Sequence, residues 1–454
     1  MLKKKILYIF LFVITGSIAQ EQVGQLDISN IGSFGKDNFS ITNYKNDNLV
    51  SAIMHNGNIT VHHLNKDFEQ ISMPLTRDLD NGGLNNLVGY KIIDNKYSFI
   101  YSDNVRNALA VFTFSFDTNL NEKHKIDLDY KGERIVEAFS SYQNRFFVFF
   151  ASIDGDLILR ELEDNFSSLK EIARFPISDK DIDGNKVEFK RHFLYSKANY
   201  TTFEDNAPSP VSKSFSKYKL FNQKNSLVLT VENNNLGTSL YKIDLETLKL
   251  SEKFFIYPKG KLSNYEEYNS FVSNNNVFLI AVSNDEMSLQ INSLESSFSK
   301  EYYITKDEEI TFKNTVINQK GLTMVPFQGN RNFETTSKFL RKISSETVGV
   351  NIYYEDNSYE VTIGGLKDNV VQGILMVSTG GYGLNTDQIT KITCLFDQNF
   401  LHVDKNIEMS SFDLLNQFEK ELKSDKNSNV FYFNGDLIYS YVYKKEALLR
   451  YLKF

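Results

Sequence analysis

The sequence has no tryptophan, one cysteine and six prolines among its 454 residues. A single cysteine, Cys394, excludes any disulfide within the chain. Its place among alternating apolar residues indicates a small core side chain rather than a nucleophile. The prolines mark no linker-like segment except residues 206–214, which contain Pro208 and Pro210. We therefore expect residues 20–454 to form a single domain.

Positively charged residues are fewer than negatively charged ones. The chain has 50 Lys and Arg residues and 57 Asp and Glu residues, which gives a formal net charge of −7. Phosphate binding requires a basic patch, so we expect no nucleic-acid partner. Hydrophobic residues make up 41% of the chain and aromatic residues 14%, which is enough for a substantial core.

A long apolar run is missing from the body of the chain, and the one near the start is short. Lysines at positions 3–5 precede an apolar run over residues 6–14, and Ser17 and Ala19 form a small-x-small cleavage site. The run is shorter than the roughly 20 residues that span a bilayer, which disfavours the alternative of an uncleaved anchor. Residues 1–19 are therefore predicted to be a signal peptide, and the protein to be periplasmic, cell-surface or extracellular. We expect no transmembrane helix after its cleavage.

Motifs of known catalytic machinery are missing as well. The six histidines form no H-E-x-x-H pattern, and the chain has no G-x-S-x-G elbow. The adjacent His62 and His63 point to opposite faces of a strand, which is a poor arrangement for binding one metal ion. We therefore predict no catalytic residue and no cofactor-binding residue, and favour a protein that is not an enzyme.

What the sequence has is a repeat, seen most clearly in residues 270–304. Two short strands flank an Asn274-Asn275-Asn276 turn, and the second, from Val277, is apolar at successive positions. Asn and Asp favour left-handed turn conformations. The lack of period-two alternation in the second strand predicts that both of its faces are buried. Two further strands, around Leu289 and Tyr302, complete a four-stranded unit.

The same unit recurs along the chain. A turn of the form apolar, about three polar residues, apolar precedes each fourth strand, and the doubly apolar second strand recurs from Leu49, Tyr97, Phe146, Leu227, Val277, Leu322, Ile374 and Val430. These turns end at Phe68, Leu120, Phe166, Leu248, Phe298, Val348, Phe400 and Leu448. Their spacings are 52, 46, 82, 50, 50, 52 and 48 residues, close to the period of about 50 that propeller repeats show.

This pattern resembles the broad β-propeller class over nearly all of the chain after residue 19. It matches no named subfamily, because the Trp-Asp marks of WD40 repeats and the paired glycines of kelch repeats are absent. The resemblance implies an all-β fold of about eight four-stranded blades, with seven as the alternative. Such folds carry many unrelated functions.

The last unit departs from the pattern. Ser410, Asp413, Leu415 and Phe418 have the spacing of a short capped amphipathic helix where the first strand is expected. The inner strand of that blade is then expected from the amino-terminal end, around residues 25–29. Pairing the two chain ends would remove exposed sheet edges.

The long interval contains an insertion over about residues 178–215. It includes Asp179, Asp181 and Asp183 followed by Gly184, a spacing that can converge carboxylates on calcium. Lys190 stands where an EF-hand has Glu, so two interpretations remain: a shorter calcium-binding loop, or a solvated acidic turn. The aromatic remainder, residues 191–214, is either a functional loop over one propeller face or a surface excursion.

Three functions of different classes fit this sequence. The first is a non-catalytic extracytoplasmic binding or scaffold propeller that recognises a protein or glycan through its loop faces, and it is favoured because no catalytic motif is found. The second is a propeller hydrolase or lyase that acts on a polysaccharide through paired carboxylates. The third is an outer-membrane β-barrel, suggested by the many strands, although runs such as residues 146–150 do not alternate as barrel strands must.

Overall fold

The structure, a computed structural model, describes residues 21–31, 37–43, 47–79, 86–103, 108–128, 130–140, 144–177, 200–204, 207–232, 235–321, 330–367, 388–421, 428–443 and 446–453. These residues form thirty strands and three helices. None of the described helices combines the length and apolar composition needed to cross a bilayer.

The helices are α1 (Val211–Ser214), α2 (Thr336–Ile343) and α3 (Ser411–Glu421). The strands are β1 (Glu21–Asp27), β2 (Asp37–Asn43), β3 (Asn48–His55), β4 (Asn58–Leu64), β5 (Leu75–Asp78), β6 (Asn86–Ile93), β7 (Lys96–Ser102), β8 (Ala108–Ser115), β9 (Leu120–Asp127), β10 (Glu133–Ser140), β11 (Phe146–Ser152), β12 (Asp156–Leu162), β13 (Leu169–Pro176), β14 (Tyr200–Glu204), β15 (Tyr218–Gln223), β16 (Ser226–Val231), β17 (Gly237–Asp244), β18 (Leu250–Ile256), β19 (Glu267–Ser273), β20 (Asn276–Val282), β21 (Glu286–Ser293), β22 (Ser299–Thr305), β23 (Ile317–Lys320), β24 (Arg331–Phe333), β25 (Thr347–Glu355), β26 (Ser358–Lys367), β27 (Gln388–Asp397), β28 (Ser428–Phe433), β29 (Asp436–Tyr443) and β30 (Leu448–Lys453).

The described strands form seven sheets of four or five strands each. Their strand orders are β2-β3-β4-β5, β6-β7-β8-β9, β10-β11-β12-β13, β14-β15-β16-β17-β18, β19-β20-β21-β22, β24-β23-β27-β26-β25 and β1-β30-β29-β28. Neighbouring strands are antiparallel except β14, which is parallel to β15. Successive antiparallel sheets of this kind are the blades of a β-propeller, so the predicted all-β propeller class is confirmed. The unit over residues 270–304 corresponds to β19–β22.

The described strands belong to two compact units. The smaller unit contains β1–β5 and β28–β30. The larger unit contains β6–β27 and the three helices. In the larger unit, the first strands of consecutive sheets, β6 and β10, contact each other, as do β19 and β25. In the smaller unit β2 contacts β28.

The cores form because second strands bury both faces, as their lack of alternation predicts. Every residue of β11 is buried, and so is every residue of β20 after Asn276. Cys394 on β27 is fully buried in the main core of the larger unit, and this burial raises the pKa of its thiol. The prediction that Cys394 is a core residue is confirmed.

The count of eight units does not match the seven sheets of the described residues, and the alternative count of seven does. The units that end at Val348 and Phe400 belong to one sheet, since Val348 lies within β25, the first strand, and Phe400 follows β27, the third. The position beyond β27 is filled by β23, which precedes β25 in the chain. The predicted strands from Leu322 and Ile374 lie outside the described residues.

The two chain ends share a sheet, as expected, but not in the predicted position. β1 pairs with β30, at the opposite edge of the sheet from β28. It is therefore the outermost strand of that sheet, not the inner one. The segment from Val430 is accordingly part of β28, the first strand, rather than a second strand.

The predicted helix near the carboxyl end is α3, and its amino-terminal cap is confirmed because the Ser410 hydroxyl accepts a hydrogen bond from the Asp413 backbone N–H at 3.1 Å. Part of the insertion is also described. The Thr202 hydroxyl on β14 donates to the Glu137 carboxylate on β10 at 2.9 Å, and Ser209 bonds Asn351 on β25 at 3.1 Å. These described parts pack against first strands of the larger unit.

Candidate functional site

A cavity of about 700 Å³ lies in the smaller unit. It is lined by residues 24–27 of β1, by Ser29 and Asn30 after that strand, by His62 of β4, and by residues 67–70 and Pro74 between β4 and β5. We call this cavity the β1 groove. It differs from the sites suggested by the sequence, which lie in the insertion.

The turn after β4 sets one wall of the β1 groove. The Asn65 side-chain oxygen accepts the backbone N–H groups of Asp67 and Glu69, each at 2.9 Å. This arrangement is the local side-chain capping that makes Asn common in turns. The chain then leaves β4, and pairing with β4 resumes at Leu75. Pro74 has no N–H to continue the ladder, so the strand begins only after it and the space opposite His62 stays open.

Phe68 anchors this turn. It adopts a left-handed backbone conformation, with φ of 61°, and its side chain is buried against the rings of Phe433 and Tyr451 at centroid distances of 5.4 and 4.8 Å. A Cβ atom on Gly24 would lie 2.3 Å from the Phe68 Cβ, so the close approach of β1 to this turn requires glycine. Phe68 and Gly24 together fix the distance between the two walls.

His62 places a neutral hydrogen-bond acceptor in the wall. Its side chain is 1% exposed, and burial lowers the pKa of the imidazole. Nδ1 lies 2.9 Å from the Gln70 side-chain carbonyl oxygen, which can only accept, so Nδ1 holds the proton. Nε2 is then an acceptor, and it has no hydrogen-bond partner among the residues that the structure describes. An unpartnered buried acceptor costs about 1–3 kcal/mol, which a donating ligand would offset.

Three exposed carboxylates, Asp27, Asp67 and Glu69, line the β1 groove together with His62. Asp27 accepts from the Ser29 backbone N–H at 2.8 Å, which lowers the pKa of its carboxyl. Glu69 accepts from the Asn65 amide at 3.1 Å. Within the described residues, neither these two nor Asp67 forms an ion pair. None of the described lining residues is Lys or Arg, so the charged groups of this lining are negative.

The described residues of the groove do not have the geometry of a metal centre. Within the described part of the chain, no three His, Cys, Asp or Glu side chains are placed to hold one ion. His62 bonds Gln70 whereas His63 bonds Asn48, so the adjacent pair does not converge, as the alternation of strand side chains predicts. The suggested calcium ligands Asp179, Asp181 and Asp183 lie outside the described residues.

The larger unit holds a different unpartnered carboxyl, Glu346, between α2 and β25. It is 5% exposed, and neither of its oxygens has a hydrogen-bond partner within the described part of the chain. Burial raises its pKa from the ordinary 4.5 to about 7. The nearby Lys342 and Lys367 oppose that shift only in part. A carboxyl at this position is accommodated best when it is protonated.

We expect Glu346→Gln to stabilise the protein at about pH 8 by about 1–3 kcal/mol, with little effect near pH 4.5. Because the folded-state pKa is raised, the stabilising contribution of the protonated carboxyl is complete below 4.5 and is lost as the pH rises through about 7. Urea unfolding at both pH values measures the difference. The same ΔΔG at both values would contradict this assignment.

Sequence reasoning considered His62 only as a metal ligand and missed its role in the groove. The signal available was slight, because β4 also contains the polar residues Asn58, Thr60 and His63. Its partner Gln70 and the carboxylates Asp67 and Glu69 follow in the next turn, but Asp27 and Gly24 come from β1, whose pairing with β30 the repeat does not specify.

No protein-family model matches the chain, and no curated protein matches it in sequence. Among solved structures, it is similar to a member of the DUF4221 family from Bacteroides vulgatus, at 10% identity and a TM-score of 0.34, over 82% of this chain and 92% of that one. It is also similar to the β-propeller domain of the Trilobed protease from Pyrococcus furiosus, at 8% identity and a TM-score of 0.29, over 72% and 79%. A third similarity is to the Nup133 β-propeller domain of Vanderwaltozyma polyspora, at 10% identity and a TM-score of 0.27, over 79% and 83%. These values carry no information about function.

Proposed function

We propose that this chain is a non-catalytic extracytoplasmic binding propeller that recognises a protein or glycan at the β1 groove. The observation that carries the proposal is the buried Nε2 of His62, which has no hydrogen-bond partner among the described residues, although His62 lines a cavity of about 700 Å³. Its other ring nitrogen is fixed by Gln70 at 2.9 Å, so the acceptor is held ready for a donor. Buried polar groups are almost always paired, so an unpaired one calls for an explanation, and a donor on a bound ligand would supply it.

The surrounding chemistry favours binding over catalysis. A general acid–base pair needs carboxyls whose pKa values are driven apart by their environment. Asp27, Asp67 and Glu69 are exposed, and the shift at Asp27 is downward. The lowered pKa of Asp27 is the opposite of what a general acid needs, whereas all three carboxylates can accept hydrogen bonds from a ligand.

The extracytoplasmic location rests on the predicted signal peptide. β1 begins at Glu21, two residues after the predicted cleavage position at Ala19. Removal of residues 1–19 would therefore leave the pairing of β1 with β30 complete. The location is tested by fractionating producing cells and sequencing the amino terminus of the mature protein; a cytoplasmic, uncleaved chain would contradict it.

We expect a ligand selected by screening the purified chain against peptide and glycan arrays to bind His62→Asn about tenfold more weakly than wild type. Asn places a donor near the position of Nδ1 and can retain the bond to Gln70, but it removes the Nε2 acceptor. The loss of one hydrogen bond of about 1.4 kcal/mol corresponds to this factor. Calorimetric titration measures it.

The matched control is His62→Gln, which places a polar atom near the position of Nε2 and should retain more of the affinity. Thermal unfolding of both variants checks that they fold. If every selected ligand binds both folded variants as tightly as wild type, the β1 groove is not the binding site.

A further inference from the structure

We infer that the β1 groove takes an extended basic peptide segment, which adds to the free edge of β1 and places Lys or Arg side chains against Asp27, Asp67 and Glu69. This inference rests on the proposed binding function and specifies its ligand. It follows from the orientation of β1, from the charge of the lining and from the apolar residues beside it.

The backbone edge of β1 faces the β1 groove. Four consecutive residues, 24–27, line the cavity, although successive side chains of a strand point to opposite faces. Consecutive lining residues therefore mean that the backbone edge faces the cavity. β1 is the terminal strand in the order β1-β30-β29-β28, with β30 its only neighbour among the described strands. A free edge beside a cavity is the geometry used for peptide addition to a sheet.

The lining selects a basic ligand. The three carboxylates form no ion pair within the described residues, and Nε2 of His62 is a further acceptor. Lys66 is the basic residue of the neighbouring turn, but it is exposed and does not line the groove. Ammonium and guanidinium groups are donors without acceptor capacity, so they match a lining whose charged groups are carboxylates.

The rim favours a peptide over a glycan. Met73 is 85% exposed and Ile71 48% exposed, and both flank residues that line the groove. An exposed methionine is an adaptable apolar contact for peptide side chains. Glycan recognition commonly uses an exposed aromatic face, but the one aromatic residue of the lining, Phe68, is 7% exposed and packs on Phe433 and Tyr451.

The test is calorimetric titration of the full mature chain with a short capped peptide in which lysine alternates with valine. We expect this peptide to bind, and to bind about three- to tenfold more weakly to the double variant Asp67→Asn, Glu69→Gln, since exposed charge pairs are each worth about 0.2–1 kcal/mol. Raising the ionic strength from about 0.05 to about 0.5 M should weaken the binding of the lysine peptide, because salt screens the charge pairs. Glu295→Gln, an exposed turn carboxylate of another sheet, is the control variant and should bind as wild type does.

Two further probes separate the parts of the inference. The same peptide with every backbone nitrogen methylated keeps its charge but has no N–H group to donate to a strand edge, so equal binding would overturn edge addition. A peptide with glutamate in place of lysine should not bind; if it binds equally well, the charge argument fails. If the lysine peptide does not bind while a glycan from the screen loses affinity for His62→Asn, the inference falls and the proposed function stands.

Discussion

Replacing Glu232 by alanine is expected to lower the free energy of unfolding by about 3–5 kcal/mol. Lys219 and Glu232 form an ion pair of 2.7 Å in the larger unit, with side chains 0% and 4% exposed. The same Glu232 oxygen accepts both the backbone N–H and the hydroxyl of Ser270, each at 2.8 Å. Burial already lowers the pKa of Lys219, so removal of its partner leaves an ammonium group without compensation.

Urea unfolding followed by circular dichroism measures this loss. The control is Asp285→Ala, which breaks the Lys306–Asp285 ion pair of 2.8 Å, whose side chains are 44% and 39% exposed. We expect this variant to lower the free energy of unfolding by at most about 1 kcal/mol. The double variant Lys219→Met, Glu232→Leu should recover much of the loss, because it removes both buried charges. Equal effects of Glu232→Ala and Asp285→Ala would contradict the burial of this pair.

Phe68→Ala is expected to destabilise the smaller unit by about 3–5 kcal/mol, the usual cost of removing a buried phenylalanine ring. The backbone strain of alanine and of phenylalanine is similar at a φ of 61°. The difference in unfolding free energy between wild type and Phe68→Ala therefore measures the lost packing on Phe433 and Tyr451. It should also weaken any ligand of the β1 groove, because Phe68 fixes the turn against Gly24.

Phe298→Ala is the matched control for this variant. Phe298 occupies the corresponding turn between β21 and β22 but is 41% exposed, and we expect a loss of about 1 kcal/mol or less. Thermal and urea unfolding of both variants give the comparison. If Phe298→Ala lowers the free energy of unfolding as much as Phe68→Ala does, burial does not explain how the aromatic residues of these turns stabilise the protein.

The repeat was predictable because one turn geometry recurs. Four of the residues that ended the predicted turns, Phe68, Phe166, Leu248 and Phe400, have φ values between 55° and 61°. The sequence led us to expect left-handed residues at Asn and Asp, and Asn274 and Asn275 confirm this with φ of 45° and 59°. Large apolar residues seldom adopt this conformation, so only the structure shows that they do so here, where burial of the side chain offsets the strain.

The number of sheets could not be read from spacing alone. Val348 has the right position in the period, but it lies in a first strand, and the sheet is completed by β23 from earlier in the chain. A pairing between β23 and β27 that spans the intervening strands β25 and β26 leaves no periodic signal, because periodicity records only local order.

The β1 groove was hidden for the same reason. His62, Gln70 and the carboxylates of the β4–β5 turn are local in sequence, but they become a site only when β1 pairs with β30 at the outer edge of the last sheet. The sequence suggested that the chain ends meet. It placed the amino-terminal strand at the inner edge, which would have left Asp67 and Glu69 without an opposing wall.

The measurement that tests the binding function most directly is hydrogen exchange of the mature chain with and without the ligand that the array screen selects. The account predicts new protection of backbone amides in residues 24–30 and 67–73, the two walls of the β1 groove, and weaker protection in His62→Asn at the same ligand concentration. Protection confined to other segments, with both walls exchanging as in the free protein, would contradict it.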